Sequence, residues 1–252
     1  MKSFKTLIPV LLISLIFNSF MTPSDFLSQQ KKFERVNAAF LEKESVIQQQ
    51  LNANGLQPDD FNLLIVAYKE EDELELYVKK KTESAYKKLM SYEVCAKSGQ
   101  LGPKRRQGDM QVPEGFYHID RFNPTSNFHL SLGVNYPNES DRKKSTAKHL
   151  GGDIFIHGSC VTIGCLPMTD DKIKEIYLYA VLARNNGQYE IPVYVFPFIM
   201  TDTNFNLKME LYKENTQLID FWKNLKTGFE KFQKEKMELK TAVDKNGNYT
   251  YL

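Results

Sequence analysis

Behind an apolar stretch from Leu7 to Phe17, the chain takes up a helical rhythm. Ser24 reads as an N-cap, and Phe26, Phe33, Val36, Phe40, Ile47 and Leu51 recur on one helical face until Asn54-Gly55 stops them. The pattern then changes to strands. Phe61 to Tyr68 is apolar and rich in β-formers, the acidic segment Lys69 to Glu73 turns the chain, and Leu74 to Lys80 returns as a hairpin partner. A third strand is predicted over Leu89 to Lys97. Leu101 to Gly115 reads as loop, Phe116 to Asp120 and Phe128 to Val134 as strands, and Asn135 to Lys148 as polar turns.

Ile154, Phe155 and Ile156 then form a short buried strand that ends on His157. Thr169 caps a helix with the stripe Ile173, Ile176, Tyr177, Ala180, Val181 and Arg184, stopped by Gly187. Ile191 to Ile199 is strand-like, but Pro192 and Pro197 predict an edge or a bulge. Leu207 to Lys236, with Phe221, Trp222, Phe229 and Phe232, predicts one or two covering helices, and Lys245-Asn-Gly-Asn248 marks a closing hairpin. The sum is an α+β fold, mainly β, with flanking helices.

With 252 residues, 42% of them hydrophobic and 25% charged, the chain can bury a proper core. Lys2 and Lys5 followed by the apolar run read as an export signal over residues 1–20, either cleaved or kept as an N-terminal anchor. That run is too short for an ordinary spanning helix, so any membrane contact is expected only through this segment. Its removal leaves basic and acidic residues equal in number, which speaks against a nucleic-acid partner. Three cysteines, Cys95, Cys160 and Cys165, cannot build a disulfide scaffold, and an odd count leaves a thiol over in an exported protein.

The candidate chemistry lies in Ile154-Phe-Ile-His-Gly-Ser-Cys-Val-Thr-Ile-Gly-Cys-Leu-Pro-Met168. Cys165 is the candidate nucleophile, and a thiol with an ordinary pKa of ~8.5 needs a base, which His157 can supply as a thiolate–imidazolium pair. No Asp or Asn is placed to orient the imidazole, so the Gly158 carbonyl is the candidate. Gly158 and Gly164 permit sharp turns, and the amides of Gly164 and Cys165 could form an oxyanion hole. Two rival readings stay open: a zinc site using His157, Cys160 and Cys165 with a fourth ligand from His118, His129, His149 or Cys95, and a Cys160–Cys165 disulfide that silences the thiol.

His157 to Asp170 resembles the active-site signature of the L,D-transpeptidase (YkuD-type) family, in its YafK-like murein branch. Gly102-Pro-Lys104, Gly108-Asp109, Pro113 to Tyr117, Phe122-Asn-Pro124 and Tyr136-Pro-Asn138 with Asp141 follow the expected order upstream, and Gly187-Gln188 and Ile191 to Val193 downstream. The resemblance implies a β-sandwich-like catalytic fold and cysteine acyl transfer without a cofactor or metal. By carry-over Cys165 is the nucleophile, His157 the base and Gly158 the orienting carbonyl. Ile163 stands where the wider family has a second histidine, which leaves His157 as the motif's sole base. The implied partners are peptidoglycan stem peptides in the periplasm or cell envelope, with transfer to a second stem or, if water intervenes, hydrolysis. Lys104, Arg105, Arg142 and Tyr117 are candidate substrate contacts, the cations for stem carboxylates. The expected organisation is a signal or anchor (1–20), a helical segment (21–56), the catalytic domain (57–200), and a helical extension with a hairpin packed on it (201–252). The alternative of another class is a wall-binding or zinc-stabilised module without turnover.

Overall fold

The computed structural model describes residues 24–252, so the expected export signal lies outside the described residues. The first helical stretch is two helices, α1 (Ser24–Gln30) and α2 (Glu34–Ala53). Their break is closed by short i→i−3 bonds from Lys32 and Phe33, and it lets Gln30 accept the Tyr177 hydroxyl at 2.7 Å.

The remaining elements alternate between strands and helices. In chain order they are β1 (Asn62–Tyr68), β2 (Glu73–Lys79), β3 (Lys87–Glu93), β4 (Gly115–Asn123), β5 (Ser131–Val134), α3 (Glu139–Lys144), β6 (Ile154–His157) and β7 (Leu166–Pro167). Then come α4 (Asp170–Asn185), β8 (Pro192–Phe196), α5 (Asp202–Leu211), α6 (Thr216–Glu235), β9 (Thr241–Val243) and β10 (Tyr249–Tyr251). The α+β class is as expected.

One eight-stranded sheet, ordered β3-β2-β1-β8-β4-β5-β6-β7, organises the chain. β1 with β8 and β6 with β7 are parallel; the other pairs are antiparallel. Central strands are apolar on both faces because both are covered. Leu63, Ile65 and Ala67 of β1 join the core under α2 and α4, whereas Leu64, Val66 and Tyr68 join the core under α6. The amphipathic α6 buries Phe221, Trp222, Leu225, Phe229 and Phe232 on that second face.

A register shift between Ile119 and Arg121 bends the sheet where β4 meets β5. Beyond it, Leu132, Ile154, Ile156 and Leu166 turn onto the first core, so the sheet curls around α4. β8 is not the edge that its prolines predicted: it lies between β1 and β4. Pro192 occupies its first position and Pro197 falls just past its end, where neither removes an interior ladder bond. The polar stretch after β5 holds the short α3, whose Asn138 and Asp141 form a reciprocal capping box.

Candidate functional site

The sheet's period of two decides which side chains meet solvent beyond the curl. Ile154, Ile156 and Leu166 point into the core, so Phe155, His157 and Cys165 share the opposite face. Ile156 pairs with Leu166 and His157 with Pro167 in parallel register. This sets Cys165 beside Phe155, two positions from His157 on the neighbouring strand. From strand spacing and rise, their α-carbons stand about 8 Å apart, with both side chains on one face.

His157 is buried, and its Nδ1 lies 2.6 Å from the Gly158 carbonyl oxygen. A carbonyl only accepts, so Nδ1 carries the proton and the neutral ring keeps its lone pair on Nε2. The Phe128 ring covers the imidazole at a centroid separation of 4.8 Å. Burial holds the His157 pKa below the ordinary histidine range, against the Gly158 hydrogen bond, which raises it. Gly158 itself is hemmed in: a Cβ there would meet Asp170 Oδ1 at 2.6 Å and the Phe128 carbonyl at 2.8 Å.

Cys95 and Cys160 form a disulfide, and Cys165 is the free thiol. This overturns the Cys160–Cys165 pairing and takes from the zinc reading Cys160, one of its three core ligands, and Cys95, one of its four candidate fourth ligands. Among the described residues no cluster of His, Cys, Asp and Glu is arranged to hold a metal. Cys165 Sγ donates to the Asp153 carbonyl at 3.6 Å rather than to His157. Burial raises the thiol's pKa, and the nearby Asp153 charge adds to this, while a hydrogen bond from the Phe155 backbone and the Lys104 charge oppose it. Burial thus pushes both groups the same way, the thiol and the imidazole each toward its neutral form.

The connecting loop is held at three points. Cys160 is tied to Cys95 after β3, Ser159 donates its amide to Asp170 Oδ1 at 2.9 Å, and Thr162 staples the end. Thr162 Oγ1 accepts from the amides of Gly164 at 3.2 Å and Cys165 at 2.8 Å, and donates to the Cys165 carbonyl at 3.0 Å. The two amides expected to form an oxyanion hole are therefore engaged by this hydroxyl. Gly164 has φ +135, and a Cβ would meet the Gln111 carbonyl at 3.0 Å, so both backbone and space favour glycine.

Cys165 and Leu166 open onto a cleft of about 190 Å3, walled by Leu101, Val112, Val94 and Lys97. His157 does not line it. The far wall is pinned by Lys69, whose Nζ donates to the carbonyls of Gln100, Gly102 and Val112 and to Glu114 Oε1 at 2.8 Å. Glu114 is fully buried and also accepts the Trp222 indole N–H at 2.9 Å. Nothing in the sequence marks this pair, since a lysine at one strand end and a glutamate before another strand carry no spacing signal.

The expected substrate contacts are dispersed. Lys104 is buried, donates to Asp109 at 2.7 Å and to the Arg106 carbonyl, and bears on the thiol only through its charge. Arg105 pairs with buried Asp141 at 2.8 Å and lies over Phe221, facing a separate groove. Tyr117 is buried, with its hydroxyl on Asp141 at 3.0 Å and on the Glu114 carbonyl. Arg142 is exposed on α3.

A family model of the L,D-transpeptidase catalytic domain (YkuD) matches residues 62–195. Over 187 residues the chain is 39% identical to the protein of Escherichia coli (strain K12) described as "Putative L,D-transpeptidase YafK", covering 73% of this chain and 72% of that one. Among solved structures, the helical cell shape determining protein Pgp2 of Campylobacter jejuni aligns with a TM-score of 0.44 at 16% identity, over 73% of this chain and 74% of that one. Bd1075 of Bdellovibrio bacteriovorus aligns with a TM-score of 0.38 at 17% identity, over 73% and 75% of the two chains.

Proposed function

This chain belongs to the YkuD L,D-transpeptidase family, and from that premise we propose that it is an exported, cysteine-dependent murein L,D-transpeptidase acting on tetrapeptide stems of peptidoglycan. The observation that carries the reading is the free thiol of Cys165 on the same sheet face as an imidazole whose Nδ1 is fixed on the Gly158 carbonyl. That arrangement supports one tautomer, with Nε2 ready to take a proton.

The steps follow from this tautomer. Sγ leaves the Asp153 carbonyl and attacks the carbonyl carbon of the stem's third residue while its proton passes to His157 Nε2. The ring never needs to hold a thiolate partner at rest, because proton transfer and attack proceed together. Collapse of the tetrahedral species breaks the amide, and His157 returns the proton to the departing D-alanine amine. An amine of a second stem then attacks the thioester, gives its proton through His157 to sulfur, and leaves a cross-link and a regenerated thiol. Stabilising the oxyanion by the Gly164 and Cys165 amides requires Thr162 Oγ1 to yield them. Export rests on the basic and apolar residues 1–20.

Intact-mass measurement after incubation with muropeptides tests the proposal. An acyl adduct is expected on the native protein and none on Cys165→Ala; no adduct on either refutes it. With an amine acceptor present, cross-linked dimers assign transfer, and cleaved stems alone assign hydrolysis.

A further inference from the structure

A row of residues crosses the curled half of the sheet at the level of the thiol. Arg121 on β4 pairs with Gly133 on β5, and Gly133 pairs with Phe155 on β6. One strand further, the register brings Cys165 beside Phe155. Residues in one lateral row share a face, so Arg121 looks out over the same surface as the nucleophile.

The arginine is laid across that surface rather than extended into solvent. A Cβ on Gly133 would stand 3.0 Å from both Arg121 Nε and Arg121 Cβ. The bare glycine therefore leaves the trough through which the side chain crosses β5. Its guanidinium comes to rest over the Phe155 ring, 4.9 Å from the centroid. Nε reaches Asp120 at 3.2 Å and Nη1 reaches Asp153 at 3.0 Å. Asp153 is also the residue whose carbonyl holds the Cys165 thiol, so one residue touches both the cation and the nucleophile.

We propose that Arg121 is a specificity-determining residue that receives a carboxylate of the stem peptide next to Cys165. This rests on the transpeptidase reading. Asp153 occupies the receiving position in the resting protein. Its side chain is 81% exposed, and it lies in irregular backbone just before β6 with φ 55. An ion pair so exposed contributes little and is readily exchanged. A planar guanidinium stacked on an aromatic ring offers a forked pair of donors that a lysine cannot match. Among the described residues, the Nη2 group of Arg121 makes no hydrogen bond, which leaves a donor for the incoming anion.

Two stem carboxylates share this chemistry: the side-chain carboxylate of a diamino acid at the third position, and the terminal carboxylate of D-alanine. Calorimetric titration of Cys165→Ala, which binds without turnover, separates them. The probes are a tetrapeptide with meso-diaminopimelate at position three, its side-chain amide, its terminal D-alaninamide, and the L-lysine analogue. Arg121→Gln in the Cys165→Ala background is expected to weaken the free-acid stem about tenfold, the low end for a half-exposed charge-assisted contact. The stem lacking the relevant carboxylate keeps its affinity, and which amide does so names the source. Arg121→Lys, which keeps charge but not the fork, should fall between. Equal loss on every stem, or loss on none, overturns the proposal, as does Cys165→Ala binding no stem. Arg121-dependent binding together with no acyl adduct on the native protein would sink the transfer reading and leave this inference standing.

Discussion

Replacing Cys95 and Cys160 together with alanine removes the covalent link between the end of β3 and the loop that carries Cys165. The two cysteines are 65 residues apart in sequence, with Cys160 exposed and Cys95 half-buried. Little packing is lost, so the cross-link dominates the effect. Loop-closure entropy for that separation puts its contribution at about 4 kcal/mol. For a chain of this size each kcal/mol moves the midpoint by roughly 2–4 °C, so scanning calorimetry should show Tm falling by about 8–16 °C. Thr162 and Asp170 still hold the loop, so the variant is expected to fold and to form an acyl adduct more slowly. A thiol titration in denaturant supplies the control: one reactive thiol in the unreduced native protein, three after reduction. Three thiols without reduction, or a midpoint within about 3 °C of the native protein's, would refute the reasoning.

The paired pKa shifts set a pH dependence. With Cys165 raised and His157 lowered by burial, iodoacetamide should label the thiol slowly near pH 7, with an inflection above the ordinary thiol value of ~8.5. The acid limb of acyl-enzyme formation should lie below the usual histidine value of ~6.5, since the ring stays neutral there; fast labelling at pH 6 would instead indicate a preformed ion pair. Glu114→Ala strands the Lys69 ammonium, whose side chain is 6% exposed, and should cost about 3 kcal/mol in urea unfolding, toward the lower bound because three carbonyls remain. The double variant Lys69→Met/Glu114→Leu should be less destabilised than Glu114→Ala, and a larger loss in the double would argue against a stranded charge.

The sequence carried the fold well where periodicity was strong. α4 begins at its Thr169 cap, with the hydroxyl accepting the Lys172 amide, and the closing hairpin forms around Gly247. It misled where one signal has two meanings. Pro192 marks an interrupted strand or the first residue of a sound one, and only the β1–β8 pairing decides between them. The third strand ends at Glu93 rather than Lys97: Val94 still donates to the Asp72 carbonyl, but Cys95 donates to the Pro167 carbonyl instead and enters its disulfide. At the site, the glycine carbonyl beside His157 was legible from the motif. The partner of Cys95, the hydroxyl of Thr162 across two amides and the reach of Arg121 over Gly133 were not, since each depends on which strands become neighbours.

The buried contact between Glu114 and Trp222 has a practical consequence for anyone shortening this protein. The matched family segment stops at residue 195, yet the wall opposite the thiol is anchored through an indole on α6, well past that point. Trimming the chain to the recognised segment would expose a glutamate and a lysine that were fastened from the other side of the sheet, and the groove beside Cys165 would go slack without losing a single residue of its own lining.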